Sequence, residues 1–290
     1  MEQQILQEKR DRTKLVLTNV YNLPAMSGTM KEVSEMLDDP NTNSQRLGRM
    51  IGRDQAIATK ILSISNSPMY GLRRKVTTID FAILVLGFLE IKKIVLALSL
   101  MESFKNKTDK YLDQKKFWLH SILTGSAAKR VAEDLGYRIG GEAFIAGLLH
   151  DLGIPVIHKY FHSSFIEIVT NVETAKVKFK DAETSQLGYN HADIGMFLSE
   201  KWNLPIELCD TVQNHHQPSK ASENRVLASI VHLADYMTQH LQVGDFYWDS
   251  DMELDPAILD ILKFSSVDDM HHFIEKYKPL FEDEAKALNL

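Results

Sequence analysis

Apolar residues recur along this chain at the three- and four-residue spacing that places them on one face of an α-helix. The pattern predicts helices over the ranges 1–22, 29–37, 44–53, 55–65, 79–87, 95–104, 117–135, 142–155, 164–172, 182–201, 205–215, 226–241 and 268–281. No stretch of useful length alternates apolar and polar residues as a half-buried β-strand would. The hydrophobic pattern therefore predicts an all-α protein.

Local signals mark where some of these helices begin and end. Thr78 is a suitable N-cap for the helix that follows it, and Asp80 lies in the first turn of that helix. Gly153 suits a left-handed helix cap and Pro155 bars continuation, so the predicted helix 142–155 is expected to end there.

Composition narrows the class of protein. The 290 residues are 44% hydrophobic and 25% charged, as in ordinary globular proteins. A net charge of −6 disfavours nucleic acid as a partner. The charged N-terminus does not resemble a signal peptide, and charged residues interrupt the apolar stretch 81–101, so no membrane span is expected. The single cysteine, Cys209, excludes an internal disulfide, and we expect a cytoplasmic protein.

Histidines and aspartates in the second half of the chain each fall within, or at the end of, a predicted helix. They are His120, His150, Asp151, His191, His215, His216 and Asp235. Helical bundles build metal sites in this way, with several helices each giving one or two ligands to a shared centre. Imidazole and carboxylate together suit iron, manganese, zinc or nickel better than magnesium or calcium. Seven such groups are too many for one tetrahedral zinc and suit two octahedral ions, with Asp151 as the natural bridge.

Plainer interpretations stay open for individual residues. A single histidine is more often a hydrogen-bonded or surface residue than a metal ligand. We expect that role for His158, His162, His232, His240, His271 and His272. His215 and His216 could also form an exposed pair at a helix end. Asp235 is harder to explain in this way, because it lies in an apolar helical stretch where a carboxylate needs a partner.

The order of these residues resembles the HD-domain superfamily of metal-dependent phosphohydrolases. The segments LLHDLG, YNHADIG, KWNLP and NHHQP carry the resemblance, and they are more similar to the HDOD family than to its HD-GYP relatives. The N-terminal segments NSPMYG and AILVLG resemble the helical region that HDOD proteins place ahead of the HD-like core. The resemblance covers roughly residues 18–240. It implies an N-terminal helical region, residues 1–104, and an HD-like core with a C-terminal tail, residues 105–290.

The resemblance implies that the seven residues match the ligand positions of a dinuclear site, with iron or manganese favoured over zinc, nickel or magnesium. It also exposes two departures from the HD-GYP enzymes. Ile154 stands where those enzymes have a lysine that helps to hold substrate phosphate, and Gln217 and Pro218 follow the double histidine in place of a GYP signature. Without a positive charge facing the substrate phosphate, the transition state of phosphoryl transfer is less well stabilised.

Two functions from different classes follow. The first is a bacterial regulatory protein that binds a signalling partner or a ligand, in which the metal is structural. The second is a metal-dependent phosphohydrolase or phosphodiesterase acting on a nucleotide or a cyclic dinucleotide, with Asp151 and the histidines holding two ions. We favour the first because the lysine and the GYP signature are missing. Only the resemblance to the HD superfamily suggests a nucleotide ligand. The net negative charge of the chain disfavours DNA binding.

Overall fold

A computed structural model describes residues 2–19, 32–33, 35–37, 39–53, 55–66, 68–70, 72, 74–88, 90–92, 94–95, 98, 108–202, 204–243, 248 and 252–287. Its principal helices are α1 Glu2–Asn19, α2 Ser44–Ile51, α3 Gln55–Ser65, α4 Ile79–Leu86, α5 Gln114–Asp134, α6 Gly140–Leu149, α7 Gly153–Tyr160, α8 His162–Ala175, α9 Phe179–Leu187, α10 His191–Lys201, α11 Ile206–Asn214, α12 Arg225–His240, α13 Ala257–Leu262, α14 Val267–Glu275 and α15 Lys278–Ala287. No β-strand occurs in the described residues, and the all-α prediction is confirmed. The predicted helix 95–104 lies almost entirely outside them.

The chain forms two compact units. The larger comprises Met1–Tyr21 and Asn106–Pro279, and the smaller comprises Asn22–Lys105 and Leu280–Leu290. Helix α1 therefore belongs to the larger unit, whereas the sequence placed it in an N-terminal region of residues 1–104. The reason lies in the contacts that α1 makes with α9: Thr13 donates a hydrogen bond to the Leu187 carbonyl at 2.8 Å.

The smaller unit contains α2, α3 and α4, which pack on one another. Leu47, Ile61 and Ile83 are buried there with at most 2% of their surface exposed. The predicted start of α4 is confirmed, since the Thr78 side chain accepts a hydrogen bond from the Phe81 amide.

The larger unit is built around α5, α6 and α12, which pack against one another. Helices α5 and α6 approach closely because two glycines face each other. A Cβ on Gly147 would lie 2.9 Å from Gly125 Cα, and a Cβ on Gly125 would lie 2.8 Å from the Phe144 carbonyl oxygen. A side chain at either position would push the two backbones apart. This close approach brings His120 of α5 opposite His150, which follows α6 directly.

The predicted end of helix 142–155 is wrong in detail. Helix α6 ends at Leu149, His150 and Asp151 lie in a turn, and Gly153 begins α7 with Pro155 inside it. Gly153 is not a left-handed cap, since it is absent from the positive-φ glycines that the structure describes. Its role is steric: a Cβ there would lie 2.0 Å from the carbonyl oxygen of His191. The missing side chain allows the start of α7 to pack directly on the start of α10.

The predicted helix 182–201 is also wrong, because two helices, α9 and α10, cover this range. Gly188 ends α9 in the left-handed region with φ +75°, which favours glycine. Asn190 then caps α10: its side chain accepts from the Asp193 amide, and the Asp193 carboxylate accepts from the Asn190 amide. This break makes His191 the first residue of a helix rather than one in its middle.

The stretch Gly140–Tyr160 is long and apolar enough to cross a membrane by length and composition. Within the most apolar 18 residues of this stretch, 83% is buried inside the protein. The stretch corresponds to α6, the turn after it and α7, so its apolar surface is accounted for by the core.

Candidate metal centre

The structure brings all seven sequence-predicted residues together in the larger unit. His120 and Asp235 project from α5 and α12, His191 begins α10, and the pairs His150–Asp151 and His215–His216 follow α6 and α11 directly. Each of the seven is at most 7% exposed. The alternative of an exposed His215–His216 pair is therefore wrong.

The donor atoms form two groups. Those of Asp151, His191, His215 and His216 all lie within 4.8 Å of one another, and so do those of His120, His150 and Asp235. In the first group His191 Nε2 lies 2.8 Å from His216 Nε2. In the second, His120 Nε2 lies 3.2 Å from Asp235 Oδ1.

Asp151 lies between the two groups and faces each with a different oxygen. Its Oδ1 lies 3.4 Å from His191 Nε2 and 3.5 Å from His215 Nε2. Its Oδ2 lies 3.4 Å from His150 Nε2 and 3.6 Å from His120 Nε2. This is the placement that a carboxylate bridging two ions requires.

Two atoms inside the cluster lack the partners that buried polar atoms normally have. Asp151 Oδ1 and His215 Nε2 are buried, and neither has a hydrogen-bond partner among the residues that the structure describes. A cation between them would satisfy both. Together with the donor set of imidazole nitrogens and carboxylate oxygens, this orphaned pair shows that the residues fit a divalent metal.

Electrostatics within the cluster also favour a cation. Burial alone would lower the pKa of His150, but the carboxylates of Asp151 and Asp235 outweigh burial and hold this pKa well above its usual value. Burial lowers the pKa of His215 to about 4, so this imidazole is neutral near pH 7 and has a lone pair available. Burial, followed by the charges of His215 and His191, also lowers the pKa of His216.

Several groups outside the seven fix the orientation of the rings, as metal sites commonly require. The Nδ1 atoms of His150 and His215 hydrogen-bond to the carbonyls of Gly147 and Val212 at 2.6 and 2.7 Å. These contacts turn each Nε2 towards the centre. His232 was expected to be an ordinary hydrogen-bonded histidine. The structure confirms this, since its Nδ1 lies 2.7 Å from the His215 carbonyl oxygen.

Two residues that support this site were missed by the sequence analysis. Glu183 of α9 is fully buried, and its Oε2 accepts from the His191 amide at 2.9 Å and lies 2.7 Å from His191 Nδ1. Trp248 donates from Nε1 to Asp151 Oδ2 at 2.9 Å. Glu183 could have been suspected, because it lies beside Ala182 on the apolar side of its helix. Nothing in the local sequence marks Trp248.

Replacing Glu183 by Gln is expected to weaken metal binding by about 10-fold or more, because a neutral amide orients and polarises the His191 ring less well than a carboxylate. Calorimetric titration of metal-free protein with Mn²⁺ would measure this. Glu167→Gln, on the exposed side of α8, is the matched control and should bind as the wild type does. Equal affinity in the Glu183 and Glu167 variants would contradict the role assigned to Glu183.

An open cleft reaches the cluster at His216. A cavity of about 440 Å³ and a second of about 380 Å³ share His216, Gln217, Lys180 and Lys220 in their walls. Ile154, at the position of the missing lysine, is fully buried and contributes nothing to either wall.

Comparison with known proteins gives a family and a fold. A model of the HDOD domain matches residues 23–218. An HDOD-domain protein of unknown function from Geobacter sulfurreducens has a similar structure, with a TM-score of 0.75, 23% identity and 98% of each chain covered. A protein from Shewanella amazonensis, described as a putative phosphohydrolase, has a TM-score of 0.72 and 20% identity over 94% of this chain and 97% of its own.

A curated relative in sequence is an uncharacterized protein of Treponema pallidum, 22% identical over 94% of this chain. The present chain spans about half of that relative, 52% of its length.

Proposed function

This chain belongs to the HDOD family, and from that premise we propose that it is a bacterial regulatory protein whose HD-type site holds two divalent cations and binds a signalling ligand or protein partner. The observation that carries the proposal is the position of Asp151, one oxygen of which faces each half of a complete, buried donor set. Such a set is costly to keep in a protein interior unless a cation compensates it.

Each residue has a defined role in this proposal. Asp151 would be shared by the two metal positions, with His191, His215 and His216 as the other donors to one position and His120, His150 and Asp235 as the donors to the other. Glu183, Gly147 and Val212 hold the rings in orientation. When bound, a metal pair supplies Lewis-acid stabilisation of negative charge on a ligand oxygen. His216 lies where a ligand in the cleft meets the centre.

Metal-dependent phosphoester hydrolysis is a second candidate, favoured by the completeness of the donor set. Against it stands the fully buried, apolar Ile154 at the position where the enzymes of the HD-GYP branch carry a lysine. Both candidate functions use the same metal centre. Only the phosphohydrolase would turn over a phosphoester substrate.

Turnover by the metal-loaded protein distinguishes them. We expect protein reconstituted with Mn²⁺ or Fe²⁺ under reducing conditions to contain metal and to leave p-nitrophenyl phosphate, bis-p-nitrophenyl phosphate and a cyclic dinucleotide unchanged. Hydrolysis of any of these by the wild type, lost in Asp151→Ala, would establish the enzyme in place of the regulatory protein. A contaminating phosphatase would also act in the Asp151→Ala preparation, so the loss of turnover there would exclude it. The Glu167→Gln variant, prepared in parallel, should keep the turnover of the wild type, because Glu167 is exposed on α8.

A further inference from the structure

Among the residues that the structure describes, a third group of possible metal ligands shares no member with the paired centre. It consists of Asp109, His158 and His162, and one donor atom of each lies within 4.8 Å of the other two. Both histidines were expected to be ordinary hydrogen-bonded or surface residues. His158 does form a hydrogen bond with the Asp109 carboxylate, but that single bond leaves the position of the His162 ring unexplained.

Both imidazoles face the same oxygen of Asp109. His158 Nε2 lies 2.9 Å from Asp109 Oδ2, and His162 Nε2 lies 3.6 Å from it. The first distance is that of a hydrogen bond, and the second is too long for one. A tetrahedral zinc ion with bonds of about 2.0 Å holds its ligand atoms about 3.3 Å apart. The two measured distances lie on either side of that value, so small side-chain movements would place the three donors around one ion.

The Asp109 carboxylate is held in position through its other oxygen. Its Oδ1 accepts hydrogen bonds from the backbone amides of Tyr111 and Leu112 at 2.8 and 3.0 Å. Carboxylates that ligate metal ions are commonly fixed by hydrogen bonds of this kind. The two amides therefore leave Oδ2 directed at the two imidazole rings.

A break between two helices brings the histidines together. His158 lies in the last turn of α7, and His162 begins α8 after Phe161, whose φ of −130° and ψ of 42° end the first helix. The two imidazole rings lie edge to face with their centres 5.0 Å apart. The His158 ring also packs edge to face on the buried Phe165 at 5.1 Å. One of the two nitrogen donors is thus anchored in the core.

The other two donors lie where solvent can reach them. The side chains of His162 and Asp109 are 49% and 31% exposed, whereas His158 is buried. An ion can therefore enter from solution without any opening of the core. Zinc sites with three protein ligands keep a fourth position for water, and the exposed side of this cluster provides one.

We propose that Asp109, His158 and His162 bind one zinc ion, with water as the fourth ligand. The proton in the hydrogen bond between His158 and Asp109 leaves to solvent, and each imidazole gives its Nε2 lone pair to the ion. The bound ion ties the junction of α7 and α8 to the segment that leads into α5, 49 residues earlier in the sequence. This site does not depend on the proposed function, because it shares no residue with the paired centre.

The zinc content of the full-length protein tests the proposal. Metal-free protein is equilibrated with Zn²⁺, which binds nitrogen and oxygen ligands more tightly than Mn²⁺ or Fe²⁺ does, and is then freed of unbound ion and analysed. Zinc can also enter the paired centre, so Asp151→Ala isolates the third site. Asp151→Ala should retain about one zinc ion per chain, and Asp151→Ala/His162→Gln nearly none. Wild-type protein should likewise hold about one zinc ion more than His162→Gln, a comparison that needs no change in the core.

Calorimetric titration with Zn²⁺ gives a second measurement. His162→Gln changes a half-exposed side chain and should fold as the wild type does. Loss of a group that only supports a ligand weakens metal binding by about 10-fold or more, and loss of the ligand itself should cost at least as much. Asp109→Asn should have a similar effect, because its amide is a poorer ligand than a carboxylate. His272→Gln, exposed on α14, is the matched control and should keep the wild-type zinc affinity.

Equal zinc content and equal Zn²⁺ affinity in the wild type and His162→Gln would overturn the proposal and leave an ordinary hydrogen bond between His158 and Asp109. The paired centre is judged separately in the same experiment. If the paired centre fails, the wild type should still bind about one zinc ion and His162→Gln none, which would support the third site. A wild type that binds no zinc would overturn this site.

Discussion

Replacing Asp151 by Ala is expected to remove both metal ions at once, from roughly two per chain to nearly none. The reason is geometric, since its Oδ1 faces His191 and His215 while its Oδ2 faces His120 and His150. Elemental analysis after reconstitution with Mn²⁺ or Fe²⁺ under reducing conditions would measure the loss.

Variants at the edges of the cluster should behave differently from Asp151→Ala. His216 belongs to one group of donors and Asp235 to the other, so His216→Ala and Asp235→Ala should each lose about one ion. His272→Ala, exposed on α14, is the control and should keep both. Wild-type metal content in Asp151→Ala, or no metal in the reconstituted wild type, would disprove the dinuclear centre.

Replacing Gly153 by Ala is expected to destabilise the protein by about 3 kcal/mol, the upper end of the usual cost of overpacking. The added Cβ would lie 2.0 Å from the His191 carbonyl oxygen and 2.7 Å from its carbon, and neither backbone atom can swing away as a side chain can. Helices α7 and α10 would have to separate, which would also move His191 away from Asp151. Thermal unfolding should show a decrease in Tm of about 6–12 °C, with a parallel loss of Mn²⁺ affinity.

Gly140→Ala is the matched control for this substitution. The atoms nearest to its added Cβ belong to the side chains of Glu133 and Lys129, at 3.2 and 3.4 Å, and these side chains can move. Its stability should stay within about 0.5 kcal/mol of the wild type. A Gly153→Ala protein as stable as Gly140→Ala would contradict the steric role assigned to Gly153.

Helix boundaries were predictable where the signal was local. Helix α3 matches its predicted range of 55–65, and Thr78 caps α4 as expected. A cap acts within one turn of the backbone, so a few neighbouring residues suffice to recognise it. Helices α9 and α10 were merged in the prediction, although Gly188 and Asn190 between them carried the appropriate signals. The apolar spacing on both sides outweighed these signals in the prediction.

Gly153 shows a different kind of failure. The sequence suggested a left-handed cap, the commonest reason for a glycine at a helix end, whereas the structure shows close contact with the His191 backbone. His191 lies 38 residues further along the chain. No local pattern contains a contact between two segments so far apart.

The amino-acid sequence by itself determined the all-α class, the family, and the seven residues whose chemistry suits a metal. These follow from residue type, helical spacing and local motifs, which act over a few residues. Tertiary structure alone decided that the seven converge in a buried cluster and that Asp151 stands between its two halves. It also decided that Glu183 and Trp248 support the site and that Lys180 and Lys220 border its entrance. These features depend on helices brought together by packing across the core, and the distances and exposure that result are properties of the folded chain.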